Sequence, residues 1–307
     1  MPQRVFFFLF GAWIFFCGFK PALEEARVVT PPYEEGQPNF QGGELIFAAW
    51  NIEWFPGQRP EASEEEKEAH IRRVASWIKE RKPTVLLICE ARDLASLKKM
   101  DLDYPFLACA DFYRAADENA ALPNQGLAWM SRLAWKEVWA LDFSTLAQTP
   151  DRPARGILAA EFILPSRRCF TAYGVHLKSS WAHRKPDKLR RARAMRYLEQ
   201  DWRRRGIHPQ KDDVVVMGDF NTSLDDPVFA DEQTLLTLFQ RGFVSVTENL
   251  PREKRMTLVP KGKEKGGEFD YIFLSRSMQE RPWRGEVMPV PLDLSDHSAV
   301  FLRGSAW

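Results

Sequence analysis

Cysteine is scarce, with four in 307 residues, at positions 17, 89, 109 and 169. None is close enough to another Cys or His to make a zinc-type cluster, which excludes a zinc finger or a thiolate metal centre. Cys89 lies in an apolar run and reads as buried. Cys109 and Cys169 are either a disulfide pair in an exported chain or two free thiols. A charge excess of one sign is missing too. Lys plus Arg number 43 against 42 Asp plus Glu, a net charge of +1. No global field draws the chain to nucleic acid or an anionic membrane, so any basic patch must be local. There is no internal repeat at short period. At 45% hydrophobic and 28% charged, the composition is that of a globular protein with ample material for a core.

One apolar run stands apart. Val5 to Phe19 is uncharged, preceded by Arg4 and followed by Lys20-Pro21. It falls short of the roughly 20 residues that span a bilayer. A basic start and an apolar run of this length predict export, with residues 1–22 as a signal peptide or an N-terminal membrane anchor. Residues 23–43 carry Pro31-Pro32, Pro38 and Gly42-Gly43 and read as a linker. The folded domain is expected over 44–307.

Inside that domain, short apolar runs end on polar side chains. Leu45–Trp50 reads as a strand ending at Asn51-Ile52-Glu53. Ser63 with Glu66 three residues on is a capping box. Ile71, Val74, Ala75 and Ile78 then recur at helical spacing until Pro83 stops the helix. Val85–Cys89 is a buried strand delivering Glu90. Strands are read over 126–131, 134–143, 157–164 and 169–177. A helix follows from about Pro186 to Arg205, with Leu189, Ala192, Met195, Leu198 and Trp202 as its apolar stripe. Val214–Met217 is a strand buried on both faces, and Gly218 lets the backbone turn or approach another group closely. Asp219 and Asn221 follow at its carboxyl end. A short helix near 232–241 and closing strands at 268–275 and 298–303 complete a two-sheet sandwich covered by helices.

The polar strand ends form a set: Asn51, Glu53, Glu90, His176, Asp219, Asn221, Asp270, Asp296 and His297. Any one alone is an ordinary turn or cap residue. Together, their oxygens suit a hard divalent cation, magnesium-like rather than zinc. The histidines suit hydrogen bonding to a phosphate or proton transfer to a leaving group.

The motifs Trp50-Asn51-Ile52-Glu53, Ile88-Cys89-Glu90, Gly174-Val175-His176, Gly218-Asp219-Phe220-Asn221, Phe269-Asp270-Tyr271-Ile272 and Ser295-Asp296-His297, in this order, resemble those of the endonuclease/exonuclease/phosphatase superfamily. The resemblance covers about Leu45 to Arg303. It implies a four-layered α/β sandwich, two mixed sheets packed face to face and flanked by helices. It also implies a phosphoric ester hydrolase using Mg2+ or Mn2+. By the same resemblance Glu90 is the direct metal ligand, supported by Asn51, with Glu53 and Asp296 in the metal region. Asp219 orients or deprotonates the attacking water and Asn221 holds water or phosphate. His297, paired with Asp270, contacts the scissile phosphate, and His176 approaches the phosphate or leaving group. Abasic-site endonucleases carry Tyr at the His176 position, a departure that argues against a DNA-repair role.

Ten Lys or Arg lie between Arg184 and Arg205 against Asp187, Glu199 and Asp201. Either this is a solvated helix face or it tracks a polyanion, with Lys178, Arg190, Arg193 and Arg196 as phosphate contacts. Trp181 is either a stacking or membrane-interface group or a core residue. The expectation is an exported nuclease with nucleic acid as substrate, N-terminal membrane association as an option, and no protein partner. The alternatives are a sphingomyelinase-like or inositol-phosphate phosphoesterase and a catalytically silent binding module on the same fold. A lipid enzyme would show an exposed apolar loop, for which Phe112-Tyr113 and Trp135 to Trp139 are the candidates.

Overall fold

In the computed structural model, residues 27–30, 40, 42–111, 125–143, 146–147, 149–180, 184–259 and 266–305 are described. The chain begins with strand β1 (Arg27–Val29), the long strand β2 (Glu44–Phe55), helix α1 (Glu64–Arg81) and β3 (Val85–Ala91). A short helix α2 (Leu94–Lys98) leads to β4 (Phe106–Asp111), β5 (Gly126–Ser131), β6 (Trp135–Leu141), β7 (Ile157–Ile163) and β8 (Cys169–His176). Helix α3 (Arg184–Arg205), β9 (Val214–Asp219), α4 (Thr234–Gln240) and β10 (Val244–Ser245) come next. The chain closes with β11 (Asp270–Leu274), α5 (Arg276–Gln279), β12 (Arg284–Met288) and β13 (Ala299–Ser305).

These strands build a seven-stranded sheet, order β1-β4-β5-β3-β2-β13-β12, and a six-stranded sheet, order β10-β11-β9-β8-β7-β6. Each is mixed: β2 and β3 run parallel in the first, β8 and β9 in the second, and the other pairs are antiparallel. The unbroken apolar runs follow from burial on both faces. In β3, Val85, Leu87 and Cys89 enter the core between the sheets, where they join Leu158, Phe170 and Met217 of the second sheet. Leu86 and Ile88 point the other way, toward Val74, Trp77 and Ile78 of α1. In β9, Val215 and Met217 face the first sheet while Val214 and Val216 meet Met195, Leu198 and Trp202 of α3. A strand covered on both faces has no polar side to alternate with. The result is the four-layered sandwich anticipated from sequence.

Helix α1 starts as anticipated. The Ser63 hydroxyl accepts from Glu66 N and the Glu66 carboxylate accepts from Ser63 N, so the capping box closes. Lys82 then turns left-handed ahead of Pro83 and ends it. Two readings change and one open choice is decided. Arg27–Val29, inside the segment read as linker, pairs with Cys109–Asp111 as the edge strand of the first sheet. Leu189, read as part of the α3 stripe, is 47% exposed, while Arg191 is 1% exposed. Cys89, Cys109 and Cys169 are all free thiols. The Val5–Phe19 run, Phe112-Tyr113 and Trp181 lie outside the described residues. Among the described residues no helix is long and apolar enough to cross a membrane.

Candidate active site

The register of the second sheet sets three polar residues in a row. His176 is the parallel partner of Asp219 on β9, and Asp219 is the antiparallel partner of Asp270 on β11. Gly218 makes that row possible. Its φ is +128°, and a Cβ there would stand 2.1 Å from the Val175 carbonyl oxygen. Any other residue would have to push β8 away. The first sheet contributes its own irregular ends. Regular pairing breaks after Asn51 in β2 and after Cys89 in β3, and Glu53, Trp54 and Glu90 all carry positive φ. Such bulges re-aim side chains out of the ladder.

Asn51 joins the two sheets. Its Nδ2 donates to Asp219 Oδ2 at 3.0 Å and reaches Glu90 Oε1 at 3.4 Å, while its Oδ1 accepts from Glu53 N at 3.1 Å. Glu90 Oε2 accepts from Trp54 N at 2.8 Å. Glu53 Oε2 accepts from Gln58 Nε2 at 3.0 Å and from Asp296 N at 3.1 Å. Asp219 Oδ1 accepts from Asn221 N, and Asn221 Nδ2 donates to the Leu177 carbonyl. His297 Nδ1 sits 2.7 Å from Asp270 Oδ2. The Ser295 hydroxyl ties this end to β2, donating to Asn51 O at 2.6 Å and accepting from His297 N. Asn51, Glu53, Glu90, His176, Asp219, Asn221, Asp296 and His297 line one cleft of about 640 Å³, while Asp270 reaches it only through its bond to His297. A second cleft of about 690 Å³, lined by Arg168, Asp213 and Arg281, holds none of them.

Burial and charge divide the roles. Burial and the facing Asp270 carboxylate raise the Asp219 pKa to about 7, against the His297 cation and the Asn51 hydrogen bond. Burial alone would depress His297, but the Asp270 carboxylate outweighs it and lifts the imidazole to about 10. His297 is therefore cationic at neutral pH. His176 goes the other way. Burial, then the nearby cations Arg155 and His297, hold it well below its ordinary value. Its Nε2 lies 3.5 Å from Asp219 and 3.7 Å from Glu90, but a neutral imidazole makes no ion pair with either.

A model of the Endonuclease/Exonuclease/phosphatase family matches residues 48–297. The chain belongs to this family. It is accordingly a phosphoric ester hydrolase. No curated protein matches it. Among solved structures, a family protein from Leptotrichia buccalis is 17% identical, with 85% of this chain and 99% of that one covered at a TM-score of 0.60. A beta toxin from Staphylococcus aureus is 19% identical, covering 84% and 99% at 0.62. TDP2 from D. rerio, complexed with single strand DNA product, is 17% identical, covering 85% and 98% at 0.57. At these identities the likeness is one of fold.

Enzymes of this family depend on a divalent metal, and the residues present fit one. Glu90 is a buried carboxylate, 9% exposed, whose pKa is raised by burial, and no Lys or Arg bonds to it among the described residues. With Glu53, Asp296 and the Asn51 amide it supplies an all-oxygen donor set suited to a hard cation. Among the described residues the one tight His/Asp/Glu group is a different one, Asp219, Asp270 and His297, within 4.8 Å of one another. In that group the imidazole Nδ1 already meets Asp270 Oδ2 at 2.7 Å, an acid–imidazole pair set beside Asp219.

Four candidate phosphate contacts fall outside the family cleft. Lys178 lies two residues beyond the end of β8. Its Nζ donates to Ser179 O. Arg190 is paired with Asp187 and the Pro150 carbonyl, and Arg193 with Asp151 and Thr149. Arg196 is exposed on α3. Conversely, the cleft holds Arg155, 9% exposed, whose Nη1 donates to Leu177 O. It lies in an irregular stretch before β7 with no motif around it, and no sequence signal pointed to it. Gln125, Ser179, Ser180, Phe229 and Phe269 also line the cleft.

Proposed function

We propose that this chain is an exported, magnesium-dependent phosphodiesterase that hydrolyses phosphodiester bonds of nucleic acid. The observation that carries the chemistry is the Asp270–His297 pair at 2.7 Å, set beside Asp219 in a cleft that also holds Glu90. Asp219 and Asn221 hold the attacking water, and Asp219, with a pKa near 7, accepts its proton at neutral pH. His297 is fixed by Asp270 through Nδ1, which leaves Nε2–H to donate to a phosphoryl oxygen. A phosphodiester resists attack because its oxygens repel a nucleophile, and a fixed cation in a desolvated cleft offsets the charge that develops. Glu90, Asn51, Glu53 and Asp296 would hold the magnesium or manganese ion, which when bound neutralises charge on the phosphate oxygens. His176, being neutral, separates Glu90 from Asp219 without adding a cation.

Nucleic acid as substrate draws support from the D. rerio TDP2 complex with single strand DNA product. Export draws on the Val5–Phe19 run. A lipid phosphodiester is the second reading, favoured by one feature. Val228, 46% exposed, directly precedes Phe229 of the cleft lining, and Leu224, 36% exposed, lies five residues before Phe229 in the chain. The other candidate, Trp135 to Trp139, is strand β6, with Trp139 buried and Trp135 packed on Phe106 and Phe162.

Turnover of single-stranded DNA, duplex DNA, RNA, sphingomyelin and inositol phosphates with magnesium tests the assignment. Cleavage of polynucleotides is expected. Selective cleavage of sphingomyelin or inositol phosphates would replace it. Fractionation and N-terminal sequencing of the expressed chain test export, and an intact cytosolic product contradicts it.

A further inference from the structure

Leu177, Lys178, Ser179 and Ser180 follow β8, and the last two line the cleft. Two buried guanidiniums grip this turn by successive carbonyls. Arg155 Nη1 donates to Leu177 O at 3.0 Å, an oxygen that also accepts from Asn221 Nδ2. Arg191 Nη1 donates to Lys178 O at 2.5 Å and to the Ser180 hydroxyl at 2.8 Å. The other edge of Arg191 is bidentate on Glu232, at 2.6 and 2.7 Å. Both side chains are buried, 0% and 3% exposed, and Thr234 donates a further hydrogen bond to Glu232. Glu232 closes the loop that carries Phe229, whose ring lines the cleft with its centroid 5.8 Å from the Arg191 guanidinium.

One side chain of α3 thus ties together the helix, the serine turn and the Phe229 loop. Stability alone gives little reason to keep such a pair. Replacing a buried ion pair by apolar residues of similar volume is often neutral or stabilising. Arginine has a use here that an apolar residue lacks, because its planar fork fixes several acceptors at once. The residues of the proposed chemistry bond elsewhere. The side chains of Glu90, Asp219, Asp270 and His297 make their hydrogen bonds with one another and with Asn51, Asn221 and Trp54, and none bonds to Arg191, Glu232, Ser179 or Ser180.

We propose that Arg191 is a positioning residue for substrate binding: with Glu232 it holds the Ser179–Ser180 turn and the Phe229 loop as the outer wall of the cleft. This rests on the phosphoesterase reading of that cleft. Without Arg191 the wall relaxes while the strand-borne groups stay in place, so the loss appears in KM rather than in kcat.

The test is steady-state hydrolysis of bis(4-nitrophenyl) phosphate with magnesium. Arg191→Ala should raise KM about tenfold and leave kcat within about twofold, the signature of lost uniform binding. Arg191→Lys should behave like the alanine variant, since an ammonium cannot span the four acceptors. Millimolar guanidinium should restore the alanine variant's KM, because it refills the slot beside Glu232. Arg191→Ala leaves a buried carboxylate unpaired, so Arg191→Met/Glu232→Leu serves if that variant does not fold. It should show the same KM rise with a Tm near that of the wild type. A fall in kcat at unchanged KM, or a wild-type KM in the double variant, overturns the proposal while leaving the phosphoesterase reading intact. A wild-type protein inert toward the diester overturns that reading and the positioning role of Arg191 with it.

Discussion

Asp219 and Asp270 stand directly opposite each other across the β9–β11 ladder. Two buried carboxylates at facing positions repel, and a sheet built for stability alone would not place them so. Here the repulsion has an outlet on each side. His297 takes the Asp270 charge at 2.7 Å, and the Asn51 amide donates to Asp219 at 3.0 Å. Burial, together with what remains of that repulsion, raises the Asp219 pKa to about 7, a carboxylate ready to take a proton.

Asp219→Asn removes that base while keeping the shape of the site. Turnover should fall by about a hundredfold to ten-thousandfold, the usual contribution of a positioned base. Binding of a nonhydrolysable phosphodiester should change little. A variant that binds poorly but turns over normally would take Asp219 out of the chemistry.

Asp270 and His297 should fail as one unit. Asp270→Asn and His297→Ala should each cost orders of magnitude in kcat, and the double variant should lose little more than either alone. Losses that multiply would show two independent roles.

The same pair makes stability depend on pH. The folded pKa of His297 is about 10 against an ordinary value of 6.5, so its pairing energy is fully present below pH 6.5 and is lost as pH rises through 10. Asp219, also raised, loses its own contribution between 3.8 and about 7, which leaves the window from 7 to 10 to His297. The Tm advantage of the wild type over His297→Gln should therefore shrink from pH 7 to pH 10. A gap that holds constant across that range contradicts the ion pair.

Helix α3 is where charge counting in the sequence misleads most. Arg190, Arg191, Arg193, Arg204 and Arg205 are matched by Asp187, Glu232, Asp151, Asp201 and Glu137. If α3 tracks a polynucleotide, the contact falls to exposed side chains such as Arg196. Arg196→Glu should weaken polynucleotide binding and reduce its salt slope by about one. Arg193→Glu, facing Asp151, should lower Tm instead. An unchanged slope in Arg196→Glu takes α3 out of the substrate path.

The central strands and their polar ends were legible because burial on both faces leaves an unmistakable apolar run, as in Val85–Cys89 and Val214–Met217. Local chemistry was legible too, as in the Ser63–Glu66 box. What could not be read was non-local. Edge strands β1, β10 and β12 have no strong apolar run, and β1 lies among prolines. The α3 stripe held at Met195, Leu198 and Trp202 but failed at Leu189, and it missed Asp187, Arg191 and Asp201, buried polar positions each neutralised by a distant partner or one turn away. Arg155 enters the cleft from an irregular segment, and only the folded chain shows it. That His176 is held neutral depends on burial and on two cations from other strands and loops, none adjacent in sequence.

The most direct test of the account is hydrolysis of bis(4-nitrophenyl) phosphate by the wild type and by Glu90→Gln, each with excess chelator and again after magnesium is restored. The wild type should be inactive in chelator and recover fully with magnesium. Glu90→Gln should stay near background in both, since a neutral amide cannot replace the carboxylate at a hard-cation site. Full wild-type turnover in chelator, or a Glu90→Gln variant that responds to magnesium as the wild type does, would contradict metal-assisted hydrolysis at this cleft.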